Sequence, residues 1–162
     1  MSGPVLMVRS AAGRYRKATE TEVLQAATGI EFGKLPKGPL LTSPGDTRRF
    51  LVAALHQRKA EVFCAIFVDN RHRKIAFKEL FQGTIDGASV HPREVLKACI
   101  ELNAAAVILA HNHPSGVCEP SMADELITKR LRETLALADI RVLDHIIVAG
   151  TDTLSFAERG LL

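Results

Sequence analysis

Two short apolar runs, EVFCAIFVD (61–69) and AAAVILAH (104–111), set the tightest limit on how this chain can fold. Both fall far below the ~20 residues of a membrane span. The first is strongly β-type and nearly apolar throughout, and the second has the same look. Such runs read as strands covered on both faces. A strand buried on both sides needs packed elements above and below it, so neighbouring segments must supply helices.

The neighbouring segments do read as helices. TSPGDTRRFLVAALHQR offers Asp46 or Thr47 as an N-cap, with Phe50, Leu51, Ala54 and Leu55 at helical spacing. HPREVLKACIELN puts Pro92 at a first helical position, with His91 as the entry residue and apolar side chains at 95, 96, 99, 100 and 102. SMADELITKRLRETLALADI (121–140) is a long amphipathic helix. IAFKELFQG pairs back on the first run as a hairpin through NRHRK, whose charges at 71–74 are read as solvated. RVLDHIIVAG and TLSFAERG close the chain as two more strands. The expected fold class is therefore mixed α/β, a sheet flanked by helices with a central hairpin, beginning near Leu41. Residues 1–40 read as an extension: TETEVLQAATGI as a short amphipathic helix, then GKLPKGP as a linker or arm.

Composition narrows the function classes. The chain has 162 residues, enough for one domain with a real core. No Trp and one Tyr argue against an aromatic platform for single-stranded nucleic acid. No membrane segment and no export h-region are visible, so the expected location is cytoplasmic. Cys64, Cys99 and Cys118 are an odd number without CxxC spacing; the first two read as small core residues, and no disulfide framework is implied. Residues 1–74 hold 13 of the 21 Lys/Arg and 6 of the 18 Asp/Glu. That imbalance suits an acidic partner such as nucleic acid, although a solvated surface on a near-neutral protein is the plainer reading.

The chemistry is concentrated in HNHPSGVCEPSMAD (111–124). His111 and His113 stand two apart at a strand end, so both imidazoles lie on one face and can point at one ion. Asp124 follows, three residues into the next helix. Two histidines, an aspartate and one position left for water make a catalytic zinc shell. Ser121, one turn earlier, can donate to a developing oxyanion. A plainer account exists, because PSMAD is also close to a capping box, in which Ser121 and Asp124 satisfy free backbone N–H groups. The two roles are compatible, since a helix start fixes Asp124 in place. Asn112 and Ser115 are expected to shape the loop through bonds to its backbone, and Gly116 to supply a turn. His145, in LDHIIV, is expected to be a buried, satisfied core histidine rather than a partner of the site.

These residues resemble a known family. His111-x-His113, seven residues, Ser121, two residues, Asp124 is similar to the JAMM motif of MPN+ (JAB1/MPN/Mov34) metalloproteases. HPREV upstream and DHIIV downstream resemble the RadC branch of that superfamily in bacteria, over roughly residues 41–162. The resemblance implies a largely antiparallel mixed sheet in a three-layer core like that of MPN and cytidine deaminase domains. It implies one Zn²⁺ per chain on His111, His113 and Asp124, with water as fourth ligand and Ser121 steadying the tetrahedral intermediate. It also implies a glutamate acid/base near the first core strand, with Glu61 the best match and Glu79 the competitor. Cys118 has no role in that pattern. The implied activity is hydrolysis of a peptide or isopeptide bond in a protein or peptide substrate. The alternative is a non-enzymatic, DNA-repair-associated or partner-binding module. Forty residues ahead of the core are too few for the helix-hairpin-helix region of longer RadC-like chains, which weakens a direct DNA role. The letters HNH also name a nuclease class, but the ββα-metal hairpin that class needs is not read here. The arm at 1–40 has two resting places, its own core or a second copy in a homodimer, and the sequence leaves both open.

Overall fold

The computed structural model describes residues 7–9, 13–23, 43–83 and 89–162. Strands β1 (Met7–Arg9) and β2 (Tyr15–Lys17) pair antiparallel as a ribbon apart from the main sheet. Residues 20–23 are helical. The remainder of the helix expected over 19–30, the GKLPKGP segment and the domain start at Leu41 lie outside the described residues.

The main sheet contains β3 (Val62–Val68), β4 (Lys74–Gln82), β5 (Ala106–Asn112), β6 (Arg141–Ala149) and β7 (Asp152–Ser155), in the order β4-β3-β5-β6-β7. Only β5 and β6 are parallel, so the sheet is mixed and largely antiparallel. Helices α1 (Pro44–Leu55), α2 (Pro92–Glu101), α3 (Met122–Ala136) and the single turn α4 (Phe156–Arg159) complete the fold. Parallel neighbours need a crossover, which α3 provides between β5 and β6.

Alternation along the apolar strands sorts the core into two layers. Val62, Cys64, Ile66 and Val68 of β3, with Ala106, Ile108 and Ala110 of β5, pack against Phe50, Leu51 and Leu55 of α1. Phe63, Ala65, Phe67, Val107 and Leu109 face the other way, onto Val95 and Cys99 of α2 and Leu131 and Leu135 of α3. The three-layer α/β architecture expected from the sequence is present. Burial raises the Cys64 and Cys99 thiols, the latter to about 11, so both are inert core groups.

Four local expectations need correction. The α1 N-cap is Ser43, not Asp46 or Thr47: Pro44 opens the helix, and Ser43 Oγ accepts from the Asp46 N–H at 3.2 Å. Lys74 of the RHRK cluster is buried at the start of β4 rather than solvated. The helix expected over 121–140 stops at Ala136. TLSFAERG is not one strand, because Ser155 accepts from the Glu158 N–H and turns the chain into α4. Ser43→Ala should cost about 1 kcal/mol of stability, checked by urea unfolding. No helix among the described residues is long and apolar enough to cross a membrane.

Candidate metal centre

The segment 111–124 forms at the carboxyl end of β5. His111 is the last residue of β5 registered with β3, opposite Phe63, and it lies beside Ile147 of β6, while Asn112 still pairs with Val148. The His113 N–H donates to the Val148 carbonyl at 2.8 Å, which prolongs the extended path by one residue beyond Asn112. The i, i+2 spacing therefore puts both imidazoles on one face, as expected. Gly116, at φ +79, turns the chain back, with its N–H on the His113 carbonyl. The Ser115 hydroxyl accepts from the Val117 N–H at 3.4 Å.

At the start of α3 the capping box is complete. The Asp124 N–H donates to Ser121 Oγ at 3.2 Å, and the Ser121 N–H donates to Asp124 Oδ2 at 2.7 Å. The Ser121 hydroxyl donates to the same Oδ2 at 2.6 Å. With Oδ2 held by the cap, Oδ1 turns to His111. Oδ1 lies 3.1 Å from His111 Nε2, Oδ2 lies 3.4 Å from His113 Nε2, and the two Nε2 atoms are 2.9 Å apart. Ligands held about 2.0–2.1 Å from a tetrahedral zinc stand roughly 3.3 Å from one another. The spacing and the N, N, O chemistry of the donors therefore fit one zinc ion. His111, His113 and Asp124 are the group among the described residues whose ligand atoms converge in this way.

The electrostatics agree with the geometry. Partial burial works to raise the Asp124 carboxyl, but the adjoining His111 and His113 rings and the Ser121 hydroxyl hold it well below the usual carboxylate range. His113 is raised, first by its hydrogen bond to Asp124 and further by the more distant charge of Glu61. The His113 Nδ1–H donates to the Val117 carbonyl at 2.8 Å, which leaves Nε2 as the ligand atom.

Glu61 precedes β3 and has the parity of Phe63, which faces the site. Phe63 is registered with His111, so continuing that antiparallel pairing sets position 61 opposite position 113. Glu79 is registered with Cys64, whose side chain belongs to the α1 layer, and it is ion-paired with Arg58. The two glutamates thus stand on opposite faces of the sheet. Cys118 turns its Sγ toward the Ile147 carbonyl and packs beside Ile147, Leu154 and Phe156, away from the ligand atoms.

Three residues behave differently from the sequence reading. Asn112 does not shape its own loop. Its Oδ1 accepts from the Val62 N–H at 2.8 Å, and its Nδ2 donates to the carbonyls of Arg58 and Ala60. His145 is buried and satisfied as expected, yet one partner is His111 itself, Nε2 to Nδ1 at 2.8 Å. Thr128 escaped notice altogether and lies 2.6 Å from His145 Nδ1. Its signal was the i, i+4 spacing from Asp124, which sets both on one helix face.

A mixed sheet that brings two strand-end histidines to a capped helix-start aspartate, a group that could hold a metal ion, has the layout of a JAB-type domain. A family model described as RadC-like JAB domain matches residues 41–161. A UPF0758 protein of Nitrosococcus oceani is 70% identical over 128 residues, covering 79% of this chain and 57% of its own length. One from Thioalkalivibrio sulfidiphilus is 67% identical with the same coverage. A UPF0758 protein of Vibrio cholerae is 52% identical over 149 residues, covering 92% of this chain and 94% of its own. The chain thus spans just over half the length of the first two relatives and nearly all of the third. It belongs to the RadC-like JAB domain family.

Proposed function

We propose that this protein is a zinc-dependent hydrolase that cleaves a peptide or isopeptide bond in a protein or peptide substrate. Zn²⁺, one per chain, would be held by His111, His113 and Asp124. The observation that carries this reading is the convergence of those three ligand atoms, each already oriented by a partner outside the cluster. When bound, zinc would act as a Lewis acid and lower the pKa of a water to ~7.

The chain's own groups supply the rest. Glu61, on the face of His113, is assigned as the general base that takes the water's proton and returns it to the leaving nitrogen. Glu79 is committed to Arg58 on the other face. Ser121 carries a hydroxyl next to the ligand cluster and is assigned as donor to the developing oxyanion. In the resting arrangement that proton lies on Asp124 Oδ2, so the hydroxyl must turn to serve. The three free cysteines suit a reducing, cytoplasmic setting.

Metal analysis of protein purified without added zinc should find about one zinc per chain, and a model isopeptide should be cleaved only by the zinc-loaded form. Histidine ligates when neutral. Because His113 is raised above its usual ~6.5, proton competition starts at higher pH than for a free imidazole. Zinc affinity should therefore fall as pH drops through neutrality, measured by chelator competition across pH. Protein that neither contains nor binds zinc at pH 8 would refute the proposal.

A further inference from the structure

We propose that Thr128 and His145 are positioning residues: they form a directional hydrogen-bond chain that holds His111 in its Nδ1–H tautomer, with the Nε2 lone pair turned toward Asp124 and His113. The usefulness of that tautomer rests on the metal-site reading; the chain itself does not.

The direction follows from counting protons. Thr128 has one hydroxyl proton, and its Oγ1 lies 2.6 Å from the backbone carbonyl of Asp124, which can only accept. The proton is therefore spent there. Thr128 Oγ1 is also 2.6 Å from His145 Nδ1, so toward that ring the oxygen must accept, and Nδ1 carries the hydrogen. His145 is 0% exposed, edge-on to Phe63 at 5.5 Å and against the Phe156 ring at 4.7 Å, and among the described residues its ring nitrogens meet Thr128 and His111. Among the described residues no carboxylate oxygen is bonded to either ring nitrogen, and so deep a burial keeps the ring neutral. Its one hydrogen is on Nδ1, so Nε2 is an acceptor. His111 Nδ1, 2.8 Å away, must donate to it. The only lone pair left on His111 is at Nε2.

The chain also closes a loop. It starts at the carbonyl of Asp124 on α3, passes through Thr128 and His145 on β6, and ends at His111 on β5. Two of the three ligand residues are thereby tied together through buried groups, for Thr128 and His111 are each 1% exposed. His113 reaches the same tautomer by a simpler device, one bond to the Val117 carbonyl in its own loop. Partners that fix the tautomer of a metal-binding histidine are commonly worth 10–100-fold in affinity.

The test uses the full chain with ¹⁵N-labelled histidine. In zinc-free protein, at a pH where both rings are neutral, long-range ¹H–¹⁵N spectra should show His111 and His145 both protonated at Nδ1. His111 protonated at Nε2 in the unaltered protein would overturn the proposal, and this needs no variant to fold. Thr128→Val removes the acceptor that orders His145. It should give mixed tautomers at both rings and a zinc affinity, by chelator competition, about 10–100-fold weaker. Thr128→Ser keeps the hydroxyl and should restore both readouts. A Val variant with unaltered tautomers and affinity would also overturn the proposal. If the tautomers are as stated but no zinc binds, the metal reading fails and the chain stands.

Discussion

His113→Ala should lower zinc affinity by roughly 10²–10³-fold and leave no hydrolysis above background. Four-ligand zinc sites bind with about 10–16 kcal/mol, or roughly 3–4 kcal/mol for each ligand, and every 1.4 kcal/mol is a factor of ten. His113 is only partly buried and contributes its ring from a loop beyond the strand end, so removing it does not open the core. Stability of the metal-free protein should therefore change little. That separates it from His111, whose ring is buried against Phe63 and His145. The measurement is chelator competition beside thermal unfolding in EDTA. A His113→Ala protein that still binds zinc within tenfold of the parent would remove His113 from the ligand set. Loss of zinc with a Tm drop above about 10 °C in EDTA would mean that the residue acts through folding.

The parts of the centre that could be read from the sequence are the local ones. Two histidines at i, i+2 on an extended chain share a face whatever surrounds them. Ser121 and Asp124 meet because a helix start brings N-cap and N3 together. Both relations span four residues or fewer. The apolar runs of β3 and β5 likewise announced a sheet covered on both sides, because a β-type run with seven consecutive buried side chains needs a layer on each face. What stayed hidden depends on pairings across the fold. The His111–His145 contact spans 34 residues, and its existence depends on β5 and β6 being parallel neighbours in one particular register. The difference between Glu61 and Glu79 is a question of sheet face. The β3–β4 register slips between Phe63 and Cys64, so counting alternation from the hairpin gives no safe answer. TLSFAERG fails for a different reason: Ser155 is as good a cap as a strand residue, and tertiary bonds decide. Asp144 accepts from the Ser155 hydroxyl and the Ala157 N–H, which fastens the turn to β6.

Asn112, between the two histidines, points to the opposite face of the sheet and ties β5 to the segment that carries Glu61. Its amide is used in full across that junction: Oδ1 takes the buried Val62 N–H, and Nδ2 takes two carbonyls on either side of Lys59. Asn112→Ala should therefore destabilise the protein by roughly 2–4 kcal/mol. The largest part is the stranded Val62 N–H, at about 1–3 kcal/mol for a buried donor left without a partner. For a chain of this size that corresponds to a Tm lower by about 5–15 °C. Zinc affinity should hold within a few fold, since the ligand rings lie on the other face and keep their own partners. Hydrogen exchange at Val62 should accelerate at least tenfold, and cleavage of the model isopeptide should fall further than zinc binding does, because Glu61 loses its anchor. Asn112→Asp should be worse than Ala, because a carboxylate would face the carbonyls of Arg58 and Ala60. An Asn112→Ala protein with Val62 still protected and an unchanged Tm would show that the strand junction holds without the amide. Zinc loss equal to that of His113→Ala would instead place Asn112 in support of the ligands, and the separation of the Asn112 anchor from the ligand rings across the two faces would fail.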